Sequence, residues 1–306
     1  MKKQLNQILM LVFVYSVSLT SCNNTNQTEH IVCTTNIVSD LINQIKPPSI
    51  SIMGPGTDPH LYKSKSGDHQ LLNDAKVIVY SGLHLEGKLT DALENLEKKK
   101  KVINLSAGIN SNDLIRSADF GGSSDPHFWF DIDLYKNAVI HTSKELKNSF
   151  PLQKSIIENN TNNYLKKIDS TSLILDNIIN QLPVKQRILI TAHDAFNYFG
   201  KRYNFTVKGV QGASTAAEAG LKDITNLVNY IINNNVPAIF VESSVSERNI
   251  NAILEGCRNK GHQVKLGGLL YSDALGDVNG NEGTYLSMMT YNIRTIANAL
   301  LSKTNE

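Results

Sequence analysis

From His30 onward, short runs of β-branched, aliphatic and aromatic residues alternate with stretches whose apolar positions recur every three or four residues. The short runs are Ile31–Thr35, Ser49–Met53, Val77–Tyr80, Lys101–Asn104, Arg187–Thr191, Thr206–Val210, Ala238–Val241 and Val264–Leu266. Their composition, and the turn-forming residues that bound them, predict strands. The intervening patterns, among them Leu41–Ile45, Leu221–Asn233 and Asn249–Asn259, predict helices. Strictly alternating β and α elements imply an α/β fold with parallel sheets covered by helices on both faces.

One stretch breaks the rhythm. Between Lys154 and Leu182 the apolar residues Ile157, Tyr164, Ile168, Leu175, Ile178 and Leu182 form a single helical stripe. Pro151 precedes it and Pro183 follows it, where a helix can begin and must stop. A continuous helix here would be roughly 43 Å long at 1.5 Å per residue. The competing reading is two shorter helices broken near Asp169-Ser170. The continuous form predicts two lobes, each with a mainly parallel four-stranded sheet flanked by helices, joined by one long backbone helix. The boundaries fall at 30–150 for the first lobe, 151–183 for the linker helix and 184–306 for the second lobe. In that second lobe Thr215-Ala216-Ala217-Glu218 and Ser244-Val245-Ser246-Glu247 fit the capping box and predict helix starts.

The beginning of the chain reads as an address rather than as fold. Lys2 and Lys3 precede an apolar stretch opening at Ile8, too short to span a ~30 Å hydrocarbon core. The stretch ends in Leu19-Thr20-Ser21-Cys22, which predicts a lipoprotein signal peptide over 1–21 and lipidation at Cys22. Several acyl chains at ~0.8 kcal/mol per buried CH2 would hold the protein stably on a membrane surface. Residues 22–29, polar and rich in Asn, then read as a tether. Formal charge changes the picture little. The chain carries 30 Lys+Arg against 28 Asp+Glu, and without Lys2 and Lys3 the two are equal. That balance gives no basic footprint for nucleic acid. Cys33 and Cys257 lie too far apart for a disulfide framework or a metal knuckle and are expected to be small core residues.

Candidate chemistry lies with the histidines. The tripeptide Asp-Pro-His occurs twice, as Asp58-Pro59-His60 and Asp125-Pro126-His127. Proline restricts its own backbone and the residue before it, so each imidazole is presented from a preset loop. The preceding Asp58 and Asp125 are placed to accept a hydrogen bond from the ring nitrogen that faces away from a metal. His193 follows a predicted strand, and Asp273 lies in the loop after another. The four residues are spaced 67, 66 and 80 positions apart, two in each half, and all near carboxyl ends of strands. Facing one another across the cleft, three imidazoles and one carboxylate suit a borderline divalent cation such as zinc better than calcium or magnesium. His69, His84, His141 and His262 read as solvated surface residues.

Those motifs resemble the metal-binding receptors of bacterial zinc and manganese ABC importers, the TroA-like and ZnuA-like solute-binding proteins. The resemblance is carried by Asp58-Pro59-His60, Asp125-Pro126-His127-Phe128-Trp129, Ala192-His193-Asp194, Val241-Glu242-Ser243-Ser244 and Tyr271-Ser272-Asp273-Ala274-Leu275-Gly276. It implies two α/β lobes, a rigid connecting helix and one buried metal bound by His60, His127, His193 and Asp273. Many zinc-specific relatives carry a His-rich loop before the second ligand, and Asn110–Ser124 contains no histidine. Many manganese-specific relatives have Glu where this chain has His193, and nitrogen there favours Zn2+ over Mn2+.

The sequence therefore predicts a non-enzymatic, lipid-anchored receptor in the cell envelope. It would deliver Zn2+, or alternatively Mn2+, to a membrane permease driven by a separate ATPase subunit. A monomer is expected, with affinity falling as pH drops through ~6.5. Two alternatives stay open. A zinc-dependent hydrolase would need an open coordination position and a base, for which Glu242 is the nearest candidate. A metal-chelate binding protein would need a wide aromatic or Arg-lined cleft, and an adhesin would share the same anchored two-lobe plan and could coexist with transport.

Overall fold

Burial on both faces is what the first strands demand of their surroundings, and it fixes where they sit. In the computed structural model, which describes residues 30–46, 48–116 and 122–301, β1 (Ile31–Thr35) and β3 (Val77–Tyr80) are buried at every position. They form the centre of a fully parallel sheet of order β2-β1-β3-β4, with β2 at Ser49–Met53 and β4 at Lys101–Asn104. Successive side chains point to opposite faces. Ile31, Cys33, Val77 and Val79 enter one core cluster, while Val32, Ile78 and Tyr80 enter another. Helix α1 (Asn36–Ile45) starts directly from β1, with Thr35 as its cap accepting the Val38 N–H at 3.3 Å. Helices α2 (Ser66–Asp74), α3 (Thr90–Glu97) and α4 (Ile132–Ser149) complete this lobe. The predicted signal peptide, Cys22 and the tether lie outside the described residues.

A long helix, α5 (Lys154–Ile179), joins the lobes. Its 26 residues correspond to about 39 Å. Ile157, Tyr164, Ile168, Leu175 and Ile179 form its buried stripe. The helix is unbroken at Asp169-Ser170, where Asp169 pairs with Lys136 of α4 and the Ser170 hydroxyl donates back to the Lys166 carbonyl. It stops three residues before the expected end. The Gln181 and Leu182 N–H groups close tighter turns onto Ile178 and Ile179 ahead of Pro183.

The second lobe contains β5 (Ile188–His193), β6 (Thr206–Gln211), β7 (Ala238–Glu242) and β8 (Lys265–Leu270). They pair in parallel as β5-β6 and β7-β8, with β5 lying beside β7. The expected four strands are therefore present as two ladders set side by side. At their carboxyl ends a side chain links the ladders, Glu242 accepting the His193 backbone N–H at 2.9 Å. Helices α6 (Asn197–Tyr203), α7 (Leu221–Asn233), α8 (Arg248–Asn259) and α9 (Tyr285–Leu301) surround them.

Both predicted capping boxes are corrected by the structure. Helix α7 begins at Leu221, where Asp223 accepts the Gly220 N–H at 3.0 Å, and α8 begins at Arg248. The hydroxyls expected to cap them are turned toward carboxylates instead. Thr215 Oγ1 donates to Asp58 at 2.6 Å, and Ser244 Oγ lies 3.2 Å from Ser272 Oγ and 3.5 Å from Asp273.

One hydrophobic cluster runs through both lobes and α5, from Ile31 and Trp129 to Leu189, Phe196, Phe240 and Tyr285. Cys33 and Cys257 are free and buried, as small core residues. Burial pushes the Cys33 thiol up to about 12.

Candidate metal centre

Each of the four predicted residues sits in a short segment, two held by their own Asp-Pro-His motif and two by distant residues. His60 lies within the loop between β2 and α2, in which Gly56 takes a left-handed φ of +68°. Asp58 Oδ1 accepts the His60 backbone N–H at 2.8 Å. His127 is held twice by Asp125, whose Oδ1 lies 2.9 Å from its backbone nitrogen and 2.7 Å from ring Nδ1. The chain then turns through Phe128–Phe130, three fully buried aromatic residues. His193 is the last residue of β5, and Glu242 at the end of β7 lies 2.7 Å from its Nδ1. Asp273 lies just past β8, in a segment gripped by the opposite lobe. Trp129 Nε1 donates to the Ser272 carbonyl at 3.1 Å, and the Asn36 amide both donates to and accepts from the Leu275 backbone at 3.1 and 3.0 Å.

These segments bring His60, His127, His193 and Asp273 together, with one ligand atom of each within 4.8 Å of the others. His60 Nε2 is 3.3 Å from His127 Nε2. Asp273 Oδ1 is 3.2 Å from His127 Nε2, and Asp273 Oδ2 is 3.3 Å from His193 Nε2 and 4.0 Å from His60 Nε2. Donors bound at ~2.0–2.1 Å around a tetrahedral zinc are separated by about 3.3 Å. The cluster thus has the spacing of a coordination shell. Its members are 6, 0, 0 and 1% exposed, in the order His60, His127, His193 and Asp273. His193 Nε2 and Asp273 Oδ1 are buried and find no partner in hydrogen-bond geometry despite their close neighbours. The group of four could hold a metal.

The electrostatics divide the three rings. Burial, outweighing the Asp273 charge, pushes His60 down to about 3. Burial also opposes charge on His127, but the Asp125 carboxylate and then Asp273 overcome it and raise the ring to about 9. His193 is raised well above its ordinary value, because Glu242 and Asp273 outweigh its burial. Asp273 is held well below the usual carboxylate range, since His193 and His127 overcome the effect of burial. Without a cation, His127 and His193 compensate the buried carboxylates with protons.

The two Asp-Pro-His motifs differ in use. Asp125 Oδ1 lies 2.7 Å from Nδ1 of its own histidine's ring. Asp58 does not take that place: its Oδ1 takes the His60 main chain and its Oδ2 the Thr215 hydroxyl. The ring carboxylate that sequence reasoning missed is Glu242, whose available signal was an acid closing the apolar strand Ala-Ile-Phe-Val-Glu. The cluster includes none of His30, His69, His84, His141 or His262. His69 meets the Ser64 hydroxyl at 3.0 Å, and His84 is exposed.

Two α/β lobes, one connecting helix and a buried His3Asp cluster at their junction define a two-lobed protein with a metal-type ligand set. The chain belongs to the ZnuA family, described as the periplasmic zinc-uptake complex component A, whose model matches residues 31–299. It is 40% identical over 302 residues to the manganese-binding lipoprotein MntA of Bacillus subtilis (strain 168), covering 96% of this chain and 98% of that protein. It is 37% identical to the zinc-binding protein TroA of Treponema pallidum (strain Nichols), with 88% of each chain covered. The solved structure of the periplasmic zinc binding protein TroA from Treponema pallidum superposes with a TM-score of 0.87 at 36% identity, covering 90% of this chain and 99% of that one.

Proposed function

We propose that this chain is the substrate-binding lipoprotein of an ABC-type metal importer. It captures Zn2+, or alternatively Mn2+, between its lobes through His60, His127, His193 and Asp273. It then passes the ion to a membrane permease worked by a separate ATPase, and Cys22 carries the lipid that holds it in the cell envelope. The observation that carries this reading is the separation of 3.2 to 3.3 Å between the buried His127 and Asp273, His193 and Asp273, and His60 and His127 donor atoms. Both metals occur in the names of similar proteins, and three nitrogens with one carboxylate incline the site to zinc.

The hydrolase alternative is not favoured. Four side chains fill a tetrahedral shell, and Glu242, the candidate base, is engaged by the backbone and ring of His193. A chelate receptor loses its aromatic cleft, because Phe128, Trp129 and Phe130 are each only 1% exposed.

Titration calorimetry on chelator-stripped protein should give one Zn2+ per chain, and elemental analysis of protein purified without added metal should find zinc or manganese. Absence of heat with both ions would overturn the reading. Cys22→Ser should move the protein from the membrane fraction to the soluble one, and light scattering should report one chain per particle.

A further inference from the structure

The four side chains are not equally supported. His127 and His193 each have a carboxylate 2.7 Å from Nδ1, and the Asp273 segment is bonded across the interface by Asn36 and Trp129. Asp58 holds the backbone of His60 and not its ring, whose polar neighbours are His127 and Asp273. His60 is also the most exposed of the four, at 6%. Its carbonyl is backed by Gly87, where a Cβ would fall 2.4 Å away, so the His60 loop can move only away from that wall.

What holds the loop is a group from the other lobe. Thr215 Oγ1 donates to Asp58 Oδ2 at 2.6 Å, while Asp58 Oδ1 accepts the His60 N–H. Thr215 sits in the segment Gly212–Gly220 between β6 and α7, which forms neither helix nor strand. Gln211 Nε2 fixes the segment by donating to the Thr215 and Ala217 carbonyls at 3.3 and 3.0 Å. Behind it opens a groove of ≈ 940 Å³ bordered by Lys208, Gly209, Ala216, Glu218 and Tyr230. The segment is therefore tied on its Asp58 side and faces open space on the other.

We propose that Thr215 is a positioning residue, and that its hydrogen bond to Asp58 is the latch that sets how fast a bound ion leaves past His60. This rests on the receptor reading above. Loss of the hydroxyl frees Asp58, lets the His60 loop swing from the Gly87 wall and opens the least supported ligand first. The other three donors keep their own supports.

The test compares Thr215→Val, which keeps the shape and removes the hydroxyl, with Thr215→Ser, which keeps the hydroxyl. Zn2+ release into a chelator by stopped flow should be about 10-fold faster in Thr215→Val, with the association rate within about 3-fold and Thr215→Ser close to the parent. In the metal-free proteins, amide exchange over residues 56–62 should speed up in Thr215→Val and not in Thr215→Ser. Equal release from all three proteins, or equally fast release from both variants, sinks the latch. If the parent binds neither Zn2+ nor Mn2+, the receptor reading falls, and the exchange comparison still decides whether Thr215 holds the His60 loop.

Discussion

Two carboxylates behind two imidazoles determine how strongly this centre competes with protons for a cation. Asp125 and Glu242 orient His127 and His193 and make them more basic. Glu242→Gln keeps the size of the side chain and removes its charge. Its Zn2+ affinity, measured against a competing chelator, should fall by roughly 10- to 100-fold with the fold intact by circular dichroism. The same carboxylates shift the pH dependence from the ~6.5 expected of free imidazole. With His127 raised to about 9 and His193 raised also, metal uptake near neutral pH must displace protons. Affinity should therefore climb from pH 7 toward 9, by about tenfold per pH unit for each proton released. Calorimetric heats that do not vary with the buffer's ionisation enthalpy would contradict this. In the metal-free protein the raised His127 value contributes stability that is complete below ~6.5 and is lost as pH rises through about 9. The Asp-Pro-His repeat made two ring positions legible, because proline fixes the local backbone whatever the tertiary context. Glu242 was not legible in the same way: its role exists only once β7 lies beside β5.

At the level of elements, the outcome depended on whether local signals had competitors. The limits of β1 to β4 coincide with the four short β-rich runs read from the sequence. The Thr215 and Ser244 boxes failed because each hydroxyl faces a carboxylate from a distant segment, Asp58 or Asp273, and a charged acceptor is a stronger partner than a helix's own first-turn N–H. Helix α5 was legible through its stripe of buried residues, and its last turn was not, since turn tightening near Pro183 depends on fine geometry. Leu175, wholly buried in the shared core, tests that stripe. Leu175→Ala should lower unfolding free energy by about 2–5 kcal/mol, read from the midpoint of a urea titration. An unchanged midpoint would remove α5 from the load path between the lobes.

For the molecule as a whole, the decisive feature is the apolar cluster common to both lobes. Ile31, Trp129, Phe240 and Tyr285 share it, so a core cluster spans the lobes beside a smaller one inside each. Thermal unfolding should follow one cooperative transition, in contrast to the two expected of independent halves. Saturating the site with Zn2+ at 1,000 times Kd should add about 4 kcal/mol to stability, and chelation should withdraw it, visible as a reversible shift in Tm. Small-angle scattering should differ little between the stripped and the loaded protein, since parting the lobes would put the common core in water. A docking partner consequently meets almost the same silhouette whether or not the cargo is aboard.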